Sequence, residues 1–127
     1  MMGARAGLIS IVAIGLLHAG AVSLNATEPL GMDVSPRQSV APTNLRIRVH
    51  VEPSTDNRAL EVSADSVLYY RSSRVQLDGA ESPRTISFDI ANAPAGDYEV
   101  IGTLISSAGR QRAVVRRHVS VIGSGGR

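Results

Sequence analysis

The side chains able to do chemistry in this 127-residue chain are few, and the shortage narrows the reactions open to it. There is no cysteine, and every cationic side chain is an arginine, so thiolate nucleophiles, thiolate metal ligands and lysine Schiff bases are excluded. Beyond the first 21 residues the only imidazoles are His50 and His118. They would make a two-histidine metal site only if the strands carrying them were neighbours, and exposed, unrelated histidines fit the sequence as well. Asp97 and Glu99 share a strand face, but paired-acid hydrolysis needs a cleft between the acids. Asp56-Asn57 and Asp78-Gly79 stand alone and read as turn formers, not as calcium loops. No catalytic residue and no cofactor is expected, and binding or spacing is the favoured class. The alternatives from other classes are a metal-dependent or glycan-acting enzyme and a carbohydrate-binding accessory domain.

Two patches are candidates for binding. In Tyr69-Tyr70-Arg71-Ser72-Ser73-Arg74 only one of the adjacent tyrosines can face inward, and the segment offers Tyr69, Arg71 and Arg74 as ligand contacts. Tyrosine and arginine are frequent interface anchors. The second patch is the chain end. No acid follows Glu99, whereas Arg110, Arg112, Arg116, Arg117 and Arg127 do. Arg112 and Arg116 would attract an anionic glycan or an acidic envelope protein, or they would guard an edge strand against aggregation. Nucleic acid is not expected, because no aromatic platform accompanies the arginines.

The elements that position these residues follow from punctuation and period. Residues 1–21 carry one cation, Arg5, then an apolar run over 8–17, then Ala19-Gly20-Ala21, which together read as a signal peptide. Export to the periplasm or outside follows, and a membrane partner only if this segment stays uncleaved. Residues 22–43 are rich in Ser, Thr, Asn and Pro with no apolar period and read as a disordered linker. From Asn44, Leu45, Ile47, Val49 and Val51 alternate with polar residues, and Leu60, Val62 and Ala64 repeat the pattern after a turn, so the two runs read as a hairpin. Residues 67–74 have no clear register, and 74–77 reads as a short strand. Ile86, Phe88 and Ile90 form another inward row. Residues 98–105 read as a central strand, and 111–122 as the last one, with a β-bulge at Arg116-Arg117. About seven short strands fall in 44–123, ahead of a flexible tail over 124–127.

One joint is more specific than the rest. Pro94 and Gly96 end the strand before them, and Tyr98 opens the next. The spacing Gly96-x-Tyr98 resembles the tyrosine corner of immunoglobulin-like sandwiches, where the ring is buried and the hydroxyl bonds upstream backbone. On these residues the chain resembles an immunoglobulin-like or fibronectin type III-like domain of exported bacterial proteins. It lacks the cysteine pair and core tryptophan of antibody-type domains. The resemblance implies an all-β, single antiparallel sandwich without enzymatic activity, in which Pro94, Gly96 and Tyr98 are structural.

Overall fold

The computed structural model describes residues 28–123, so the expected signal peptide and the tail 124–127 lie outside the described residues. Eight strands form two sheets: β1 (Leu30–Ser35), β2 (Gln38–Val40), β3 (Thr43–Val51), β4 (Asn57–Asp65), β5 (Tyr70–Gln76), β6 (Thr85–Ala93), β7 (Gly96–Ser106) and β8 (Gln111–Ile122). One sheet has the order β1-β3-β6 and the other β2-β8-β7-β4-β5. Every pairing is antiparallel except β2 with β8, which run parallel. This is an immunoglobulin-like β-sandwich. The period-two alternation read from the sequence is the reason: Leu45, Ile47 and Val49 of β3 face Leu60, Val62, Val100 and Leu104 of β4 and β7 across a dry aliphatic core.

Three expectations are corrected. The linker over 22–43 contains two strands. Leu30, Met32 and Val34 alternate with Gly31, Asp33 and Ser35, and β1 buries the first set while pairing with β3 along its whole length. The gap it fills is opposite Gly102, where an added Cβ would lie 3.3 Å from the Met32 sulfur. A glycine in mid-strand thus makes room for a methionine from the other sheet. Six residues with polar and small members at alternate positions gave too weak a period to be seen against the Ser and Pro around them.

The β3 and β4 runs are not a hairpin either, since they lie in different sheets. Residues 52–56 carry the chain across the sandwich, and the buried Asn57 side chain donates to the Glu52 carbonyl at 3.0 Å to hold the crossing. Turn chemistry specifies a reversal without specifying which sheet receives the next strand. Finally, β8 has no bulge at Arg116-Arg117. Its register with β7 runs unbroken from Gly96↔Val121 to Leu104↔Ala113, and the shift falls at Arg112. Arg117 keeps an inward parity yet reaches water, because β2 covers β8 only over Ser120–Ile122 and leaves the rest of β8 as a margin.

The corner forms as read. Tyr98 is fully buried, and its hydroxyl donates to the Pro94 carbonyl at 2.6 Å. Gly96 sits in a tight fit: a Cβ there would meet Ser66 Cβ and Oγ at 3.2 Å, so any larger residue would press on Ser66. Residues 67–74 also resolve. Residues 66–69 connect β4 to β5, with the Ser66 N–H on the Tyr69 carbonyl at 2.8 Å, and β5 begins at Tyr70.

Two predictions follow from the core. Met32→Ala should cost about 2–5 kcal/mol in urea denaturation, the range for truncating a buried methionine, whereas a linker residue would cost almost nothing. Tyr98→Phe should cost about 1–3 kcal/mol by leaving the Pro94 carbonyl without its donor. Burial raises the Tyr98 pKa above its ordinary 10.0, so the neutral phenol is favoured in the folded state. That contribution is complete below pH 10 and is lost as pH rises through the folded pKa, so wild type should lose stability relative to Tyr98→Phe in alkaline denaturation.

Candidate functional site

Pairing of β5 with β4, and of β4 with β7, assembles a shallow groove on the outer face of the five-stranded sheet. Its central row is Ser72, Ser63 and Ile101, and the row beside it is Arg74, Glu61 and Thr103. Tyr70 closes one end. The groove measures about 410 Å³. Ser63, Ser72 and Thr103 place hydroxyls in these two rows beside an Arg74–Glu61 ion pair, with about half of each charged side chain in solvent. Exposed pairs of this kind contribute about 0–1 kcal/mol to stability, so the pair can rearrange around a ligand at little cost.

The remaining candidates are distributed elsewhere. The structure separates the two tyrosines: Tyr69 packs edge-on against Tyr98, with ring centroids 6.0 Å apart, and Tyr70 stands in solvent. Arg71 has the opposite parity from Arg74 and points toward the open side of the sandwich near Phe88 and Asp89, so the two arginines do not act together. Arg112 and Arg116 are both occupied. Arg112 donates to the Asn57 side-chain oxygen at 2.8 Å and lies 3.8 Å from the Asp56 carboxylate. Asp56 also accepts the Ser107 hydroxyl and, at 3.1 Å, the Ser107 backbone N–H. The Ser107 side-chain bond, then its backbone bond, holds the Asp56 carboxyl below the usual carboxylate range, with Arg112 and Arg58 adding to the effect. Arg116 sits 3.5 Å from Glu99.

His50 and His118 are not brought together. His50 projects from the outer face of β3, 3.5 Å from Asp33 and 3.3 Å from the Thr85 hydroxyl, whereas His118 is on β8 in the other sheet. Among the described residues no three of His, Cys, Asp and Glu converge as metal ligands. Asp97 accepts the Ser120 hydroxyl at 2.8 Å, and with Glu99 bound to Arg116 the two acids have separate partners.

The groove floor was missed by sequence reasoning. Glu61 and Ser63 are recognisable as outward positions of their strand, and Thr103 as outward on its own. What joins them is a β4–β7 pairing between residues about forty apart, on which local period says nothing.

No family model and no curated protein matches the sequence. Solved structures do resemble it. A superoxide reductase (neelaredoxin) from Ignicoccus hospitalis aligns over 81% of this chain and 88% of its own, with a TM-score of 0.60 and 14% identity. A family 76 glycoside hydrolase from a bovine Bacteroides thetaiotaomicron strain aligns over 76% of this chain but 21% of its own, with a TM-score of 0.53 and 14% identity. At such identity the likeness is one of fold. It nevertheless corrects the expectation that the chain is no enzyme, which rested on the shortage of catalytic side chains and on the sandwich being an architecture of spacers and binding modules: the superoxide reductase is built on a similar sandwich.

The occupied arginines give a contrast that denaturation can read. Arg112→Ala should destabilise by about 1–3 kcal/mol, since it leaves the buried Asn57 oxygen without a donor. Arg116→Ala, which breaks only a surface pair, should cost less than about 1 kcal/mol. Equal effects would remove the structural role given to Arg112.

Proposed function

We propose that this chain is an exported immunoglobulin-like module that binds a polyhydroxylated envelope or extracellular component, a saccharide, in the groove between Tyr70 and the Arg74–Glu61 pair. The supporting observation is the groove's composition. An exposed aromatic ring at one end offers a flat apolar face to the C–H face of a sugar ring. Ser63, Ser72 and Thr103 offer both donors and acceptors, and the ion pair offers charged partners of both signs. A shallow, open groove suits an extended ligand passing along the sheet better than a small molecule needing enclosure. The family 76 glycoside hydrolase is consistent with this setting, since a sandwich of this kind accounts for about a fifth of its length. The Arg74–Glu61 pair is neutral as a whole, so the groove has no net charge with which to select a strongly anionic saccharide. With Arg112 already engaged by Asn57 and Asp56, less of the basic chain end is free to attract an anionic glycan.

A panel of soluble neutral and acidic oligosaccharides tests the reading by titration calorimetry. Tyr70→Ala and Arg74→Ala should each weaken binding by about tenfold, corresponding to about 1.4 kcal/mol. Arg116→Ala, outside the groove, should leave it unchanged. Retention of no oligosaccharide, or undiminished binding by Tyr70→Ala, would reject the groove.

A further inference from the structure

The two ends of the sandwich differ sharply in chemistry. At one end lie the connections 41–42, 66–69 and 94–95 together with Gly123 at the end of β8, as the pairings Val40↔Ile122, Asp65↔Tyr70, Thr43↔Ala93 and Gly96↔Val121 require. None of these residues is charged. At the other end the chain entry at 28–29 and the connections 52–56, 77–84 and 107–110 carry five carboxylates against Arg84 and Arg110.

The uncharged end is also where large apolar side chains stand in water. Val67 is 97% exposed, Leu68 87%, Tyr70 63%, Val40 58% and Ile122 53%. Val67 and Leu68 occupy the tip of the β4–β5 hairpin, a place where turn chemistry favours Asn, Asp and Gly. The tip is firmly held. Ser66 bonds Tyr69, the Tyr69 ring packs on Tyr98, and Ser66 abuts Gly96 at the corner. A local rule is broken on a rigid support, as happens where a surface has a use.

We infer that this uncharged pole docks on a lipid bilayer, with Val67 and Leu68 entering the headgroup layer. Three observations favour lipid. The pole offers about ten residues, whereas a stable protein interface takes about 20–30 on each side, so a second copy meeting it end to end has too little area. Its large exposed side chains, Val67, Leu68, Val40 and Ile122, are aliphatic, with Tyr70 at the border, the position in which a ring with a polar tip settles between hydrocarbon and water. The acidic pole at the far end is repelled by anionic headgroups and orients the molecule pole first. The charges on the strands behind the tip, Asp65 and Arg71 on the hairpin with Glu99 and Asp97 on β7 beside it, are of mixed sign, so attachment depends on apolar contact more than on headgroup charge.

Because the chain has no cysteine of its own, the full chain can be labelled at a single site with an environment-sensitive fluorophore, at Leu68→Cys or, at the opposite pole, Ala108→Cys. The probes are vesicles of phosphatidylcholine alone and of phosphatidylcholine and phosphatidylglycerol in equal parts, each carrying lipid-borne quenchers. The expected result is a blue shift and quenching at position 68 in both vesicles, with position 108 remaining aqueous. Adding Val67→Ser and Ile122→Ser should raise the lipid needed for half the shift by about tenfold, with melting unchanged. Immersion of position 108, or an aqueous label at 68 on chains that are vesicle-bound through residues 8–17, would overturn the proposal. So would a shift at 68 that appears with protein concentration in the absence of lipid, which would assign the pole to a second copy.

Discussion

A phenol hydroxyl inside a dry aliphatic core must find an acceptor, and in this domain the need is met by the Pro94 carbonyl, 2.6 Å from Tyr98. That bond does more than close one corner. It fixes the ring of Tyr98, and the ring in turn gives Tyr69 a surface to lean on edge-first. With Tyr69 turned inward, strict alternation sends Tyr70 outward to the groove and leaves Val67 and Leu68 at the hairpin tip. Ser66 packs against Gly96 in the same corner, so the β4–β5 connection is clamped from both sides. With no disulfide to share the constraint, this corner is where the strand pairings that build the groove are tied to the hairpin tip at the apolar pole.

The same dependence explains what could be read from the sequence. The corner was legible because Pro94, Gly96 and Tyr98 act within five residues of one another, and local chemistry is what a sequence displays. The inward rows of β3, β6 and β7 were legible for a similar reason, since period two needs no knowledge of the partner strand. What failed was everything set by distant pairing. β1 was hidden because its acceptance into the core depends on Gly102, some seventy residues on, having no side chain. The β3–β4 hairpin was misread because a turn does not declare which sheet follows it. The role of Arg112 was invisible without the β7–β8 register, which sets it beside Asp56 and Asn57.

The arginines show how this shifts the meaning of a charge. In sequence they form a basic chain end that invites an acidic partner. In the fold Arg46, Arg74 and Arg116 each meet a carboxylate on the adjacent strand, and Arg112 meets Asp56 across a loop. What remains of the edge-guard reading lies in Arg117 and Arg71, inward-parity cations at the two margins of the five-stranded sheet, where an added strand would have to bury them.

The division between inward and outward positions also decides where function can be written on this fold. Inward residues are committed to packing, and their aliphatic character would suit any sandwich of this size. That is why a superoxide reductase and a portion of a glycoside hydrolase can share the architecture at 14% identity. Outward positions and loop tips carry no such obligation, so unusual chemistry there has no explanation in folding. By that criterion two features stand apart in this chain: the hydroxyl-lined groove beside Tyr70, and an end of the sandwich where, among the described residues, none of the connections carries a charge. Both adjoin the β4–β5 hairpin, and Tyr70 borders both. The hairpin that the corner tyrosine holds in place is therefore the segment in which the domain departs furthest from what stability alone requires.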